Sequence, residues 1–394
     1  MMNIKSESIL QKRIKRFKSI KRGYYSLLAI ILFYIISLLG PLWINNKPLI
    51  LKYNNEYYFP ALVDLLDFIP GINYPLYESK TFGQKNNQIE VDFRQLKKEI
   101  EKQNNGNFII MPIYPYHPHE DLKDELDEEF DDINKNSTYD FGEPFIDENN
   151  DGTWNENYPP TLPVGFKGRH LLGTDNTGRD VFVRLVDGYK ISITFAIIVT
   201  TLSYIIGIAI GAILGYFAGK IDLFGVRLME VFSAIPFLFT LMILASFMQP
   251  NVILLASLSV FLRGWIGITY YIRGEFFREK SKDYVSAAVS MGTSPFNVMF
   301  KHILPNSLTP VITWAPFAII GDIFTLVSLD FLGYGLKPPT SSWGNLLQQA
   351  AENLDNWHML IFPVLILTLT IFMITFISEA IREAFDPKIY SRLK

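Results

Sequence analysis

The sequence predicts an all-α membrane protein with six transmembrane helices and a polar insert between the first and second of them. Hydrophobic residues make up 49% of the 394 residues and charged residues only 19%, whereas soluble domains carry about a quarter charged residues. Six apolar runs are each long enough to cross roughly 30 Å of hydrocarbon, and no run between residues 45 and 190 qualifies. The chain has no cysteine, which excludes disulfides, thiolate metal sites and cysteine nucleophiles.

The first transmembrane helix is predicted over residues 24–44, after a basic cytoplasmic tail over residues 1–23. Eight Lys and Arg residues lie within residues 1–22. A secretory signal peptide would share this charge pattern, but the apolar run ends in Gly40-Pro41-Leu42-Trp43. That ending lacks the small residues that a signal peptidase requires, so we expect an uncleaved helix.

Residues 45–165 form the predicted extracytoplasmic insert. Its beginning, residues 47–60, alternates aromatic and polar residues around Asn54-Asn55, which predicts a pair of strands. Residues 120–158 contain 15 carboxylates but only Lys123 and Lys135 as basic residues. A stretch this acidic is expected to be solvated or to bind cations.

Two acidic repeats of the insert resemble calcium-binding loops of the EF-hand or dockerin type. Oxygen-bearing side chains recur at the spacing of loops in which such oxygens replace the hydration shell of a hard cation. The predicted ligands are Asp132, Asn134, Asn136, Glu143, Asp147, Asn149 and Asp151. Ser137 stands where the first loop needs its turn glycine, and Tyr158 stands where the second needs a glutamate. The alternative is an Asn- and Asp-rich loop without metal.

An amphipathic helix in the membrane interface is predicted over residues 166–190. Thr177 and Asp180 fit a capping box at its start. One face is apolar from Val181 to Tyr189, and the opposite face carries polar residues such as Arg184. Such a helix lies along the interface before the chain enters the bilayer.

A five-helix core is predicted over residues 191–381, followed by a cytoplasmic tail over residues 382–394. The expected spans are 191–217, 226–248, 252–272, 308–332 and 359–381. Gly207, Gly211, Gly215 and Gly219 recur every four residues and predict close approach of another helix. Gly219-Lys220 lacks the other residues of a phosphate-binding loop, so the chain is not expected to hydrolyse nucleotide.

Arg263 is the one basic residue near the middle of a predicted span. A charge there is costly, about 2.5–3.5 kcal/mol on insertion scales. One hypothesis places Arg263 on the translocation pathway, facing peptide carboxylates. The other pairs it with Asp322 or Asp330, or lets it reach the membrane surface.

The distribution of Lys and Arg predicts that both termini are cytoplasmic. The loop over residues 273–301 has five such residues and the tail from Arg382 has four, whereas residues 333–358 have only Lys337. The basic residues between 169 and 190 run against this trend, but neighbouring aspartates largely offset them.

The loop over residues 273–307 predicts two short helices joined at a sharp corner. The first runs from Tyr284 to Gly292, whose glycine fits a C-terminal cap. Ser294-Pro295 supplies an N-cap and a first-turn proline for a second helix that is expected to stop at Pro305. A loop between spans needs such a fixed shape only when another protein docks on it.

This loop resembles the cytoplasmic EAA loop of ATP-binding-cassette (ABC) importer permeases, in which a helix with Glu-Ala-Ala precedes a glycine and a later Ile-x-Leu-Pro. Ala287, Ala288, Gly292, Leu304 and Pro305 match in register. Ser286 stands in the glutamate position and His302 in the isoleucine position. The resemblance implies that the ATPase-coupling residues are Tyr284, Ser286, Ala287, Ala288, Gly292, Pro295, His302, Leu304 and Pro305.

Other stretches are similar to the C-type permeases of oligopeptide and dipeptide importers. They are residues 172–188, 273–275, 328–344 and 379–388. Residues 47–60 are similar to the YejE-type branch, and we expect residues 61–165 to be peculiar to this chain.

The resemblance implies a multi-pass subunit of the cytoplasmic (inner) membrane that imports oligopeptides or peptide-like compounds and catalyses no reaction. The implied partners are a homologous B-type permease, two ABC ATPases that use the ATP, an extracytoplasmic peptide-binding protein and membrane lipids; no nucleic acid is expected. Calcium in the insert is the only cofactor that the residues suggest. The alternatives are an ion-coupled secondary transporter and a membrane-anchored calcium-binding module.

Overall fold

The computed structural model divides into two compact units. It describes residues 9–66, 77, 79–82, 91–103, 106–120, 130–134, 139–145, 154, 170–248, 250–352 and 354–385. The helical unit comprises Met1–Leu32, Ile191–Lys337 and Val364–Lys394. The insert unit comprises Phe33–Lys190 and Pro338–Pro363.

Helices dominate the described residues. The α-helices are α1 (Ile9–Ser19), α2 (Lys21–Leu38), α3 (Gly40–Trp43), α4 (Pro60–Leu66), α5 (Phe93–Gln103), α6 (Val181–Phe217), α7 (Gly219–Ala234), α8 (Phe237–Ser246), α9 (Val252–Ser259), α10 (Trp265–Lys280), α11 (Asp283–Ser290), α12 (Pro295–Asn297), α13 (Leu304–Phe331), α14 (Trp343–Glu352) and α15 (Trp357–Phe385). Two π-helical segments, Val260–Gly264 and Val298–Ile303, continue into α10 and α13 respectively. A short 3-10 helix covers Ser79–Phe82.

The predicted count of membrane spans agrees with the structure. Five helical stretches are long and apolar enough to cross a membrane, and a bent pair of helices makes a sixth when it is counted as one span. That pair is α7 and α8, which meet at an angle of 69°. Pro236 lies at the break and donates no backbone hydrogen bond, so the helical ladder cannot continue through it. The predicted third span is therefore broken rather than straight.

Close packing of α6 against α10 organises the helical unit. An added Cβ at Gly207 would lie 1.9 Å from Cγ2 of Ile268 and 2.7 Å from the carbonyl oxygen of Trp265. Gly211 and Gly215 are similarly close to the α10 backbone. The predicted glycine stripe is thus confirmed at three positions. Gly219 does not belong to it, because its positive φ of 59° places it in the turn that begins α7.

The start of α6 differs from the predicted interfacial helix. Residues 166–169 lie outside the described part of the chain, and from Val181 onward the helix runs without a break to Phe217. The cap is Asp180, whose Oδ1 accepts the backbone N–H of Val183 at 2.9 Å. Thr177, the predicted cap, instead donates its hydroxyl to Asp175.

The insert unit contains a small antiparallel sheet. Strands β1 (Ile50–Tyr53), β2 (Glu56–Tyr58) and β3 (Phe108–Ile110) are ordered β2-β1-β3. The predicted hairpin is confirmed, and Asn54 and Asn55 both have the positive φ that its two-residue turn requires. Leu51 packs with Phe82 and with the apolar face of α5 to form the core of the sheet.

Candidate functional site

The predicted coupling loop forms a projection that we call the knob, residues 283–303. It consists of α11, a corner at residues 291–294, α12 and the second π-helical segment. Its buried residues include Val285 from α11 and Val298 and Ile303 from the π-helical segment. They pack with Ile272 and Phe276 of α10 in one apolar cluster. The knob is therefore fixed to the helical unit by a hydrophobic base.

A buried carboxylate connects the base of the knob to α10. Glu279, in the last turn of α10, is only 1% exposed. It accepts hydrogen bonds from Lys282 Nζ at 2.6 Å and from the Tyr284 hydroxyl at 2.8 Å. Asn306 Nδ2 in turn donates to the Tyr284 oxygen at 3.2 Å. Burial, together with this bond to Glu279, raises the pKa of Tyr284, so the phenol keeps its proton.

The corner of the knob is built as the sequence predicts at Gly292. This glycine has φ of +77°, a conformation that other residues adopt only with strain. The backbone N–H of Thr293 donates to the carbonyl of Ala288 at 3.1 Å, which closes the end of α11. Pro295 occupies the first turn of α12 as expected. The Ser294 side chain, however, makes no capping hydrogen bond, and only its carbonyl accepts one from Val298.

The second helix of the knob does not stop at Pro305, contrary to the prediction. The chain passes from α12 through the π-helical segment directly into α13, and the whole stretch from Pro295 to Phe331 counts as one continuous helix. Pro305 lies within the first two residues of α13. The turn before this proline is π-helical rather than α-helical, which allows the helix to continue past it. The knob is therefore joined covalently and without a loop to the fifth predicted span.

The tip of the knob exposes large apolar side chains. Val289 is 52% exposed, Met291 78% and Phe296 68%. Phe296 stacks on Phe300 with ring centroids 4.5 Å apart, which orients the exposed ring. A cluster of exposed apolar side chains is typical of a site for a protein partner.

The predicted coupling residues divide between the anchor and the surface of the knob. Ala288 is buried, while Leu304 and His302 are half-buried at the base. The exposed members are Tyr284, Ser286, Ala287, Gly292, Pro295 and Pro305. Sequence reasoning missed Glu279 and Asn306, which hold Tyr284. The sequence does carry one indication of this cluster, because Lys282 follows Glu279 at the i,i+3 spacing of a helical ion pair.

Arg263 lies in the first π-helical segment, and its side chain is exposed in the isolated chain. Its guanidinium carbon lies 6.0 Å from the ring centroid of Phe237. The alternative that pairs Arg263 with Asp322 or Asp330 finds no support among the described ion pairs. Asp322 accepts the Thr200 hydroxyl at 2.7 Å, and Asp330 accepts the backbone N–H of Leu336.

The predicted calcium ligands are only partly within the described residues. Asn136, Asp147, Asn149 and Asp151 lie outside them. Of the remaining three, Glu143 is buried and accepts the backbone N–H groups of Ile133 and Asp140, each at 3.0 Å. The described residues contain no group of three or more acidic or histidine side chains arranged for a metal. The calcium site stays a prediction.

A buried polar cluster in the insert unit was not foreseen. Arg184, placed on a polar helix face by the sequence, is fully buried and pairs with Asp175. It also donates to Asn345 at 2.9 Å. The indole N–H of Trp343 donates to the carbonyl of Leu185 at 3.1 Å. Two of the stretches singled out by sequence similarity, residues 172–188 and 328–344, thus meet in one structure.

Comparison with known proteins identifies the family. The family described as "Binding-protein-dependent transport system inner membrane component" matches residues 207–390. The inner membrane ABC transporter permease protein YejE of Escherichia coli is 34% identical over 377 residues, covering 96% of both chains. The peptidoglycan transport system permease protein YejE of Agrobacterium fabrum is 31% identical, covering 96% of this chain and 93% of that protein. The oligopeptide permease OppC of Haemophilus influenzae is 37% identical over 248 residues, covering 62% of this chain and 77% of its own.

Several apolar helices long enough to cross a membrane fit a membrane transport subunit, and this chain belongs to the family of ABC transporter permeases of binding-protein-dependent systems. Within that family it resembles YejE permeases over nearly its whole length and OppC permeases over a shorter part. The relatives are permease subunits of transport systems rather than enzymes, and the Escherichia coli relative is named as an inner membrane protein. The expectation that residues 61–165 are peculiar to this chain is wrong, because a match over 96% of the chain must include most of them.

Proposed function

We propose that this chain is the permease subunit of an ATP-driven importer of oligopeptides or peptide-like compounds, and that separate ATPase subunits dock on the knob. The observation that carries the proposal is the exposed apolar tip on a buried base. Large apolar side chains such as Met291 and Phe296, exposed on a fixed corner, are typical of a site for a protein partner. Both termini and the knob face the cytoplasm in this proposal.

The construction of the knob supports transmission of force to the spans. Its buried side chains pack on α10, and its second half continues into α13. Movement of the tip by closure of an ATPase dimer would therefore move both helices as rigid bodies. The chemistry of ATP hydrolysis belongs to the ATPases, and this chain converts their closure into an opening of the pathway.

The names of the relatives support the proposed substrate class and the remaining partners. Their names specify peptidoglycan, oligopeptide and dipeptide transport. We infer a homologous permease subunit and an extracytoplasmic binding protein that delivers short peptides or peptide-like compounds. The binding protein would select among them.

The coupling role is tested by Phe296→Asp in the reconstituted importer. A charge at the tip should weaken ATPase docking, because burying an unpaired carboxylate in an interface is costly, and should lower vanadate-sensitive, ATP-dependent peptide uptake about tenfold or more. The matched control is Phe141→Asp, which alters a fully exposed phenylalanine of the insert and should leave uptake unchanged. Full uptake by Phe296→Asp would contradict the proposal. Uptake driven by an ion gradient without ATP would favour a secondary transporter.

We also propose that Arg263 faces the substrate pathway. Its support is an exposed guanidinium within a predicted span and the absence of an ion pair with any described residue. Arg263→Leu should reduce uptake of peptides with free carboxylates, while ATPase docking stays unchanged. Unaltered uptake of all peptides would contradict this role.

We further propose weak calcium binding by the acidic insert, with a dissociation constant of about 0.1–1 mM. The support is the repeated oxygen spacing from Asp132 to Asp151. Calorimetric titration of the full chain should show heat that Asp147→Ala/Asp151→Ala reduces. No heat with calcium at several times that concentration would refute the site, and the calcium-binding module with it.

A further inference from the structure

A cavity of about 1020 Å³ lies in the helical unit beside the base of the knob. Its walls come from α1, the end of α10, the start of α13 and the end of α15. The transport proposal assigns it no role. It is lined by an unusual number of charged residues, namely Arg13, Glu275, Arg278, Glu279, Lys282 and Arg382.

The charges in this cavity do not cancel. Glu275 and Glu279 both pair with Arg278, and Glu279 also pairs with Lys282. Arg13 and Arg382 form no ion pair with any residue in the described part of the chain. Two guanidinium groups from opposite ends of the sequence therefore line one cavity without a carboxylate partner of their own, because Arg278 and Lys282 pair with Glu275 and Glu279. Guanidinium groups in this situation favour a phosphate or carboxylate ligand, which they can bind through two hydrogen bonds each.

Arg13 has a buried hydrogen-bond donor without an acceptor among the described residues. Its Nε is buried and has no hydrogen-bond partner. Its guanidinium carbon lies 4.7 Å from the ring centroid of Phe385, so the charge is held over an aromatic face. Neighbouring pairs, Arg16 with Glu383 and Arg22 with Glu379, fix α1 and the start of α2 along α15. These contacts position Arg13, but none of them accepts a hydrogen bond from its Nε.

The helix that carries Arg13 favours a lipid over a soluble anion. α1 has basic residues along its length, yet Leu10 is 59% exposed and Ile14 48% exposed. A helix that combines Lys and Arg with exposed aliphatic side chains lies in the membrane interface. Because Leu10 also lines the cavity, an apolar surface adjoins the two unpaired guanidinium groups. Basic pockets beside the ends of transmembrane helices are typical of sites for anionic lipid headgroups.

We propose that this cavity binds the phosphate headgroup of an anionic membrane lipid, with Arg13 and Arg382 as its ligands and Leu10 against the acyl chain. The bound lipid would join the two terminal helices to the base of the knob, because Lys282 and Tyr284 line the same cavity. This inference does not depend on the transport proposal, since lipid binding is measured on the purified chain without ATPases or peptide.

The test is native mass spectrometry of the full chain titrated with phosphatidylglycerol. The double variant Arg13→Gln/Arg382→Gln should bind this lipid about tenfold or more weakly, since two charge-assisted contacts are lost. The matched control is Arg227→Gln, which removes an exposed arginine of α7 that pairs with Glu230 outside the cavity. It should bind as the unaltered chain does. The variant Arg13→Lys/Arg382→Lys retains both charges and should lose less affinity than the glutamine variant.

Four results would overturn the proposal. The first is equal affinity for phosphatidylglycerol in the glutamine variant and the unaltered chain, with thermal unfolding showing both folded. The second is binding of zwitterionic phosphatidylcholine as tightly as phosphatidylglycerol. The third is displacement of the lipid by millimolar inorganic phosphate, which would assign the cavity to a free anion. The fourth is loss of ATPase docking with lipid affinity unchanged, which would assign it to a protein partner.

Discussion

At the scale of single residues, burial lowers the pKa of a histidine in the insert unit. His117 lines a cavity of about 480 Å³ together with His119, Asp64, Lys47 and Asp187. Desolvation and the neighbouring His119 lower the pKa of His117 to about 4, although Asp64 and Asp187 oppose the shift. The backbone N–H of His119 donates to Nδ1 of His117 at 3.2 Å, which favours the neutral ring.

The stability of the insert unit should therefore fall in acid. Unfolded chain takes up a proton on His117 near pH 6.5, whereas the folded unit takes it up only near pH 4. The contribution of His117 is fully present above about pH 6.5 and is lost progressively as the pH drops towards about 4. We expect the thermal unfolding midpoint of the full chain to decline over this range, and to decline less in His117→Gln.

Nuclear magnetic resonance of the histidine side chains provides the check. The imidazole signal that disappears in His117→Gln should titrate well below pH 6.5 in the unaltered chain. A midpoint at the ordinary value, or identical acid profiles for the two proteins, would contradict this account of the cavity.

At the scale of elements, the contact of α6 with α10 depends on glycines, which have no side chain to keep the two helices apart. Gly207→Ala would place a methyl group against Ile268 and against the Trp265 carbonyl, which is backbone and cannot move aside cheaply. We expect a loss of about 1–3 kcal/mol, as for overpacked cores. The measurement is thermal unfolding of the purified chain in detergent.

The control for this substitution is Gly267→Ala. Gly267 lies on α10, yet an added Cβ there meets nothing within 4 Å. Replacement by alanine should be neutral or stabilising by up to about 1 kcal/mol, because alanine is the better helix former. Equal stability of the Gly207 and Gly267 variants would show that the glycine stripe is not a packing surface.

Elements governed by local chemistry were predictable from the sequence. Asn54-Asn55 specifies a two-residue turn, Gly292 a left-handed corner, and the glycines of α6 a close helix contact. Each of these depends on backbone freedom, which only a few residue types provide. The same logic failed at Pro305, because a π-helical segment before it allows the helix to continue.

Elements fixed by distant contacts were not predictable. Helical periodicity places Arg184 on a polar face, but Asp175 and Asn345 bury it, and Asn345 lies 161 residues away. Asp180 caps the helix by accepting the N–H of Val183, whereas Thr177 donates both its hydroxyl and its N–H to Asp175. The sequence pattern alone does not specify which of the two candidate oxygens faces the first turn of the helix.

At the scale of the molecule, the two units suit different surroundings. The helical unit exposes many large apolar residues on its spans, which fits contact with lipid and with a second permease subunit. The insert unit instead combines a sheet core with buried ion pairs. The distribution of Lys and Arg along the sequence predicts the insert on the extracytoplasmic side and the knob in the cytoplasm.

The most direct test of the central claim uses the absence of native cysteine. Met291→Cys places a single thiol at the tip of the knob, and Phe141→Cys places one in the insert as a control. In intact cells, a membrane-impermeant maleimide should label Phe141→Cys and leave Met291→Cys unlabelled. In inverted vesicles, Met291→Cys should crosslink to an ATPase subunit and Phe141→Cys should not. Labelling of Met291→Cys from outside the cell, or failure of that thiol to crosslink to any ATPase, would contradict the account.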